Sequence, residues 1–281
     1  MGRRSRRKQQ RGGASPLCQC PDPVTGKACE NIVVRNTVFC ENHQECPKPP
    51  LSGSEPPYSP NIYNDNPFIR KSHNCWSYSM QVVDPKLIKE CKTTRNNCRE
   101  LFHQPGGLSG TRNLLNAKER RTCDNIETLM MTDVPDIKRS SFYEKCEPGY
   151  SKIHMHREKD LKDFHFEMQH TDGRFSHKAG QNKATLIDAS KQPIFHPGFA
   201  DLDYRKQGSD LNYVACNFYC VPRNRDVKLG QGGSLKNRGG GGAIPAGLAW
   251  QDYRPGGWAY KQATRTVRSR RANVTKRRRR H

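Results

Sequence analysis

Apolar positions change their period once along this chain. From Asn74 to Met131 they recur every three or four residues: Trp76, Met80 and Val83 share one helical face, and Ile126, Leu129 and Met130 share another. Asn74 offers a side-chain acceptor to a helix running from Cys75 through Val83. Asp84-Pro85 starts a second short helix that buries Leu87 and Ile88, and Thr122–Met131 reads as a third. After Gly149 the period falls to two. Tyr150–His156 and Asp163–His170 alternate as strands buried on one side do, and Thr171-Asp172-Gly173 turns the second strand into Arg174–His177. Gln104–Gly110 is a tight glycine loop between the two regimes. Helices first and an antiparallel sheet afterwards predict an α+β fold.

Charge separates the ends from this body. Residues 1–12 hold six Lys or Arg and no acid, and residues 253–281 hold eleven and no acid, out of a net charge of +22. The residues expected to meet a polyanion are Arg3, Arg4, Arg6, Arg7 and Lys8 at one end. At the other end they are Arg268, Arg270, Arg271, Lys276, Arg277, Arg278, Arg279 and Arg280. Segments with so little to bury cannot offset their ordering entropy, so they should order against an anionic partner: nucleic acid, a phospholipid surface or an acidic protein face. Beyond the body, 225–281 begins glycine-rich, and Trp250, Tyr253, Trp258 and Tyr260 read as anchors for grooves on a neighbouring protein. No stretch reaches the roughly 18 apolar residues of a transmembrane helix. The expected organisation is a basic arm at 1–12, a Cys/His-rich module at 13–46, a Pro/Ser/Asn linker at 47–70, the α+β domain at 71–224 and a tail at 225–281.

The module at 13–46 reads Cys18-x-Cys20, Cys29, Cys40-x-x-His43 and Cys46. Tetrahedral zinc takes four S or N ligands, and a module too short to bury a core needs the folding energy that metal supplies. The expected set is Cys20, Cys29, Cys40 and His43, with Cys18 and Cys46 as alternates. The remaining cysteines read as thiols of a reducing compartment, with Cys216/Cys220 as a candidate disulfide.

A second constellation has the form of a cysteine hydrolase. Cys75 stands at a helix start, where unpaired amides favour a thiolate; His165 and His177 lie on adjacent strands and could serve as base, and Asp188 could orient one of them.

Several runs are distinctive: Asn74-Cys75-Trp-Ser-Tyr-Ser-Met80, Gln104-Pro-Gly-Gly-Leu-Ser-Gly110, Cys146-Glu-Pro-Gly-Tyr150, Asp163-Phe-His-Phe166 and Thr171-Asp-Gly-Arg-Phe-Ser-His-Lys178. Together with Cys123, Asp203-Tyr204 and Leu211-Asn-Tyr213, they cover roughly residues 70–223. This set resembles a family encoded by large DNA viruses, chloroviruses and other algal viruses among them. It is also similar to cysteine-peptidase-like domains of the papain and cell-wall-amidase type. The chain departs from the family pattern at Ser77 and Ser79, where Ala is usual, and at Phe175 and Ala179, where Trp and Pro are usual. The resemblance implies a papain-like or amidase-like domain within a minor capsid protein on the inner face of an icosahedral virion. Its partners would be the major capsid protein and other minor capsid proteins, with viral DNA or an anionic inner membrane met by the basic arms. Two alternatives are a virion-packaged cysteine peptidase or amidase and a zinc-containing nucleic-acid-binding packaging protein.

Overall fold

A computed structural model describes residues 16–22, 27–34, 37–43, 46–94 and 98–231. Five α-helices precede or flank a six-stranded antiparallel sheet: α1 Asn61–Asn64, α2 Pro67–Ser72, α3 Cys75–Ser79, α4 Pro85–Thr93 and α5 Cys123–Asp133. The strands are β1 Lys138–Ser140, β2 Tyr150–Glu158, β3 Phe164–Gln169, β4 Phe175–Lys178, β5 Ala184–Thr185 and β6 Tyr213–Pro222, in the order β1-β6-β2-β3-β4-β5. The α+β expectation holds.

Local chemistry sets most helix ends. Asn74 accepts from the Ser77 amide, Asp84 from Lys86 with Pro85 in the first turn, and Thr122 from Asn125. Helix α3 is shorter than its apolar spacing predicts. Met80 is its C-cap and Gln81 takes a left-handed φ of 56°, so Val82 and Val83 reach the core from irregular chain instead. Helix α5 meets its expectation, with Ile126, Leu129 and Met130 fully buried.

Helices α3 and α5 cover one face of the sheet, where Trp76, Tyr78, Met80, Ile126 and Met130 pack against Ile153, Met155, Phe166, Met168, Tyr219 and Val221. The other face is not solvated, which corrects the one-sided reading of the strands: β3 and β4 are buried at every position. The chain between β5 and β6 folds back over it, so that Ile194, with Phe142, packs on Phe175 and Phe218. The alternating residues are largely histidines, and a second layer encloses them. The histidine side chains look polar in a hydropathy pattern but are large enough to fill an interior layer.

Segments expected to link are packed. Within 47–70, Ser52 donates to the Tyr150 carbonyl at 2.5 Å and Tyr58 to the Ala184 carbonyl at 3.2 Å, besides the two helices α1 and α2. At the other end the body continues to Gln231: Leu229 is buried, and Gln104 donates its amide to the Gly230 carbonyl. A Cβ on Gly107 would stand 2.2 Å from that carbonyl oxygen, so the close approach needs glycine there. The module at 16–46 is docked by Gln19, whose amide oxygen accepts from the backbone of Phe195 and His196 and whose nitrogen donates to the Pro193 carbonyl.

Eight cysteines form four disulfides: Cys20–Cys46, Cys91–Cys98, Cys123–Cys216 and Cys146–Cys220. The expected Cys216/Cys220 pair is therefore corrected. Four residues along one strand stand about 13 Å apart, beyond the roughly 7 Å that a disulfide spans. Each of the two instead ties β6 to another element, and of the cysteines outside the N-terminal module only Cys75 remains a thiol. Among the described residues no helix is long and apolar enough to cross a membrane.

Candidate metal centre and the cysteine–histidine region

The Cys/His-rich module turns its ligands inward because its buried cluster, among the described residues, is made of cysteines: Cys18, Cys20, Cys29 and Cys40, with Phe39 and Cys46 packed beside them. Backbone bonds from Cys18 to Asn31 and from Val33 to Pro16 pair its two halves, and the turn Glu41–His43 closes with the His43 amide on the Cys40 carbonyl. Cys18, Cys29, Cys40 and His43 consequently form a cluster that could hold a metal ion, with one ligand atom from each and all four atoms within 4.8 Å of one another. The Cys29 and Cys40 sulfurs are 3.8 Å apart, and His43 Nδ1 lies 3.6 Å from Cys18 Sγ and 3.3 Å from Cys40 Sγ. Sulfur at 2.3 Å and nitrogen near 2.0 Å around a tetrahedral zinc would stand about 3.8 Å (S–S) and about 3.6 Å (S–N) apart. The donor set fits.

Of the expected ligands, Cys29, Cys40 and His43 are in the cluster and Cys20 is not. Cys20 is bonded to Cys46, which removes both from the ligand choice, and Cys18 takes the fourth place. The bond from Cys20 to Cys46 staples the module's end and leaves Cys18, two residues away, as the ligand. With no ion bound, burial pushes the Cys18 thiol up to about 11. Cys40 also suffers burial, but the Asn42 backbone and bonds to Cys18, Cys29 and His43 outweigh it and lower its thiol to about 7.

Cys75, His165, His177 and Asp188 do not assemble into a hydrolase constellation. Cys75 begins α3 and packs with Phe164 and Phe166; its sulfur is 4.0 Å from the Phe164 carbonyl. His165 alternates to the opposite face of β3, where its Nε2 is 2.8 Å from His177 Nδ1. His177 Nε2 bonds the Ile187 carbonyl at 2.9 Å. A carbonyl only accepts, so Nε2 of His177 carries the proton, its Nδ1 accepts, and His165 is the donor. Burial lowers the pKa of both histidines. Asp188 orients neither of them. Its carboxylate accepts from the amides of Ser190, Gln192 and Asp201 and shapes the covering loop. Burial also reverses the expected activation of Cys75, whose thiol is pushed up to about 12. A helix of five residues offers little dipole against that.

Cys75 and His165 do reach the rim of one pocket of about 450 Å³ at this end of the sheet, together with Arg99, Arg112, Arg121, Asp163 and Tyr213. Tyr213 donates to the Asp163 carboxylate at 2.8 Å. Arg112 is buried over the Phe164 ring, 5.8 Å from its centroid, and burial lowers its pKa to about 10.

A third cluster carried no signal as a site in the sequence: His154, His156 and Glu167, all buried, with donor atoms converging. Its one legible trace is the His-x-His spacing on β2, which puts both rings on one face; Glu167 arrives only through strand pairing. The residues expected to meet a polyanion, Arg3–Lys8 and Arg268–Arg280, lie outside the described residues, as do Trp250, Tyr253, Trp258 and Tyr260.

Fold and cluster together define an α+β protein, stapled by disulfides, with a Cys₃His cluster of metal-binding type beside it. Comparison with protein-family models, with curated proteins and with solved structures returned no match.

Proposed function

We propose that this chain is a structural subunit of a large icosahedral DNA virus particle, a minor capsid protein held on the inner side of the shell by its basic termini. The separation of charge carries this reading. Seventeen Lys or Arg and no acid occupy residues 1–12 and 253–281, and the rest of the chain is close to balanced. Fourteen of those seventeen are arginine, whose planar fork suits phosphate oxygens, so a genome or an anionic lipid surface is the matching chemistry. The major capsid protein and other minor capsid proteins would be the neighbours that Trp250, Tyr253, Trp258 and Tyr260 engage. Zinc is the ion we assign to Cys18, Cys29, Cys40 and His43, where it would replace the core that the module lacks.

The papain-like or amidase-like resemblance fits a scaffold that has kept a helix-start cysteine against a sheet without its chemistry. Support comes from the buried thiol of Cys75 and from two histidines bonded to one another on the far face. Fractionation of purified particles tests the reading. The protein should be present at fixed copy number and stay with empty shells after genome release. Recovery only in infected-cell lysate, with none in the particle, would overturn it.

A further inference from the structure

The third cluster lies outside everything proposed so far. His154 and His156 stand two residues apart on β2 and so share a face, and Glu167 on β3 is the register partner of His154. The three donor atoms converge. His154 Nδ1 is 3.2 Å from His156 Nε2, and Glu167 Oε2 is 2.9 Å from His156 Nε2 and 3.7 Å from His154 Nδ1. Nitrogen and oxygen donors held 2.0–2.1 Å from a tetrahedral ion stand about 3.3 Å apart, the middle of that range.

Two further observations point to a cation. All three side chains are 1% exposed or less, yet neither carboxylate oxygen of Glu167 accepts a well-aligned hydrogen bond, and His156 Nδ1 is also unpartnered. A buried carboxylate in that condition is costly unless an ion or a donor meets it. No Lys or Arg forms an ion pair with it among the described residues; the groups within ion-pair distance are the His154 and His156 imidazoles. His196, buried with its own Nδ1 unpartnered, is in the layer that covers this face.

We propose that His154, His156 and Glu167 bind a second zinc ion, which cross-links β2 to β3 inside the protein. Two imidazoles and one carboxylate suit a divalent ion of borderline softness, and zinc takes this His₂Glu set readily. The ion is structural, since the ligands have no exposure through which a substrate could reach it. Three protein donors leave one position for a water or for His196.

The test is zinc stoichiometry on the full chain. Wild type should hold two zinc ions per chain. A Cys29→Ser/Cys40→Ser variant should hold one, and Glu167→Gln with His154→Asn on that background should hold none. Because the histidine variant could fail to fold, zinc-edge X-ray absorption on the wild-type protein provides a second reading. Two sites average to about 1.5 sulfurs per zinc, against about 3 for the Cys₃His cluster alone. The proposal falls if the wild type holds one zinc with three sulfurs, if it holds none, or if a folded Cys29→Ser/Cys40→Ser protein holds none. In each case His156 and Glu167 would instead be paired with one another alone.

Discussion

Around Cys18, Cys29, Cys40 and His43 the buried cluster is four cysteines, three of which belong to the candidate site. Around His154, His156 and Glu167 the buried residues are the interior of a sheet whose opposite face packs Trp76, Ile126, Met130 and Phe166. Among the described residues the first region is held by one disulfide, a few backbone pairings, its Gln19 contacts and Phe39 against Phe195; the second would stay folded whether or not it held an ion. Similar donor chemistry therefore has different consequences. In the module, metal would be the core. In the sheet it would be a rivet in a core that already exists.

The largest expected effect is chelation. Apparent binding energies of structural zinc in small modules are about 10–16 kcal/mol, so removing the ion should unfold residues 16–46. The amides of Cys18, Gln19, Val33 and Val34, which are bonded in the module, should then exchange freely, while those of β2 and β3 stay protected. Equal loss of protection in both regions would break the contrast. The same sample sharpens it through thiol labelling. After chelation Cys29 and Cys40 should react, whereas Cys75, with its thiol near 12, carries about 10³-fold less thiolate than an ordinary cysteine and should not.

Disulfides rank next. Cys123–Cys216 closes a separation of 93 residues and Cys91–Cys98 one of 7, which by loop entropy correspond to about 4.6 and about 2.4 kcal/mol. Serine replacement of each pair, followed by urea denaturation, should give that order. The reverse order would mean that the long loop is already restrained when the chain unfolds.

The smallest change per unit step concerns pH and belongs to the body. His73 is buried and its pKa lowered to about 4, chiefly by burial. Its Nε2 accepts from the Asp84 amide at 2.9 Å, which only the neutral ring can do. Unfolded, the ring binds a proton near 6.5, so the unfolded state takes up more protons as pH falls. Stability should be lost between about pH 6.5 and 4 at up to about 1.4 kcal/mol per pH unit, and be flat for this group above that window. A His73→Gln protein should show a shallower slope in acid. An unchanged slope would place the titration elsewhere.

Much of the body was legible because its signals are local. Asn74, Asp84 and Thr122 cap helices where their side chains say they should, and Thr171-Asp172-Gly173 turns β3 into β4. What was not legible depends on contacts distant in sequence. The layer at 186–204 that buries the second face of the sheet has no periodicity to announce it, so His154 and His156 read as outward-facing. Cys20 and Cys18 are indistinguishable by spacing, and only the bond to Cys46 separates them. The separation of Cys75 from the His165–His177 bond has a related origin: alternation sends His165 and Phe164 to opposite faces, and the sequence does not say which face α3 covers.

The central claim is that the basic termini hold this protein to a phosphate surface while the body serves as a scaffold. The most direct measurement is a salt titration of binding by the full chain and by a chain lacking residues 1–12 and 253–281, to duplex DNA and to anionic lipid vesicles in parallel. With seventeen basic residues in those segments, the account predicts that affinity of the full chain for at least one surface falls steeply and log-linearly with salt. It predicts that the truncated chain, still folded, loses nearly all of that binding. Binding by the truncated chain equal to that of the full chain, or affinity independent of salt, would contradict it.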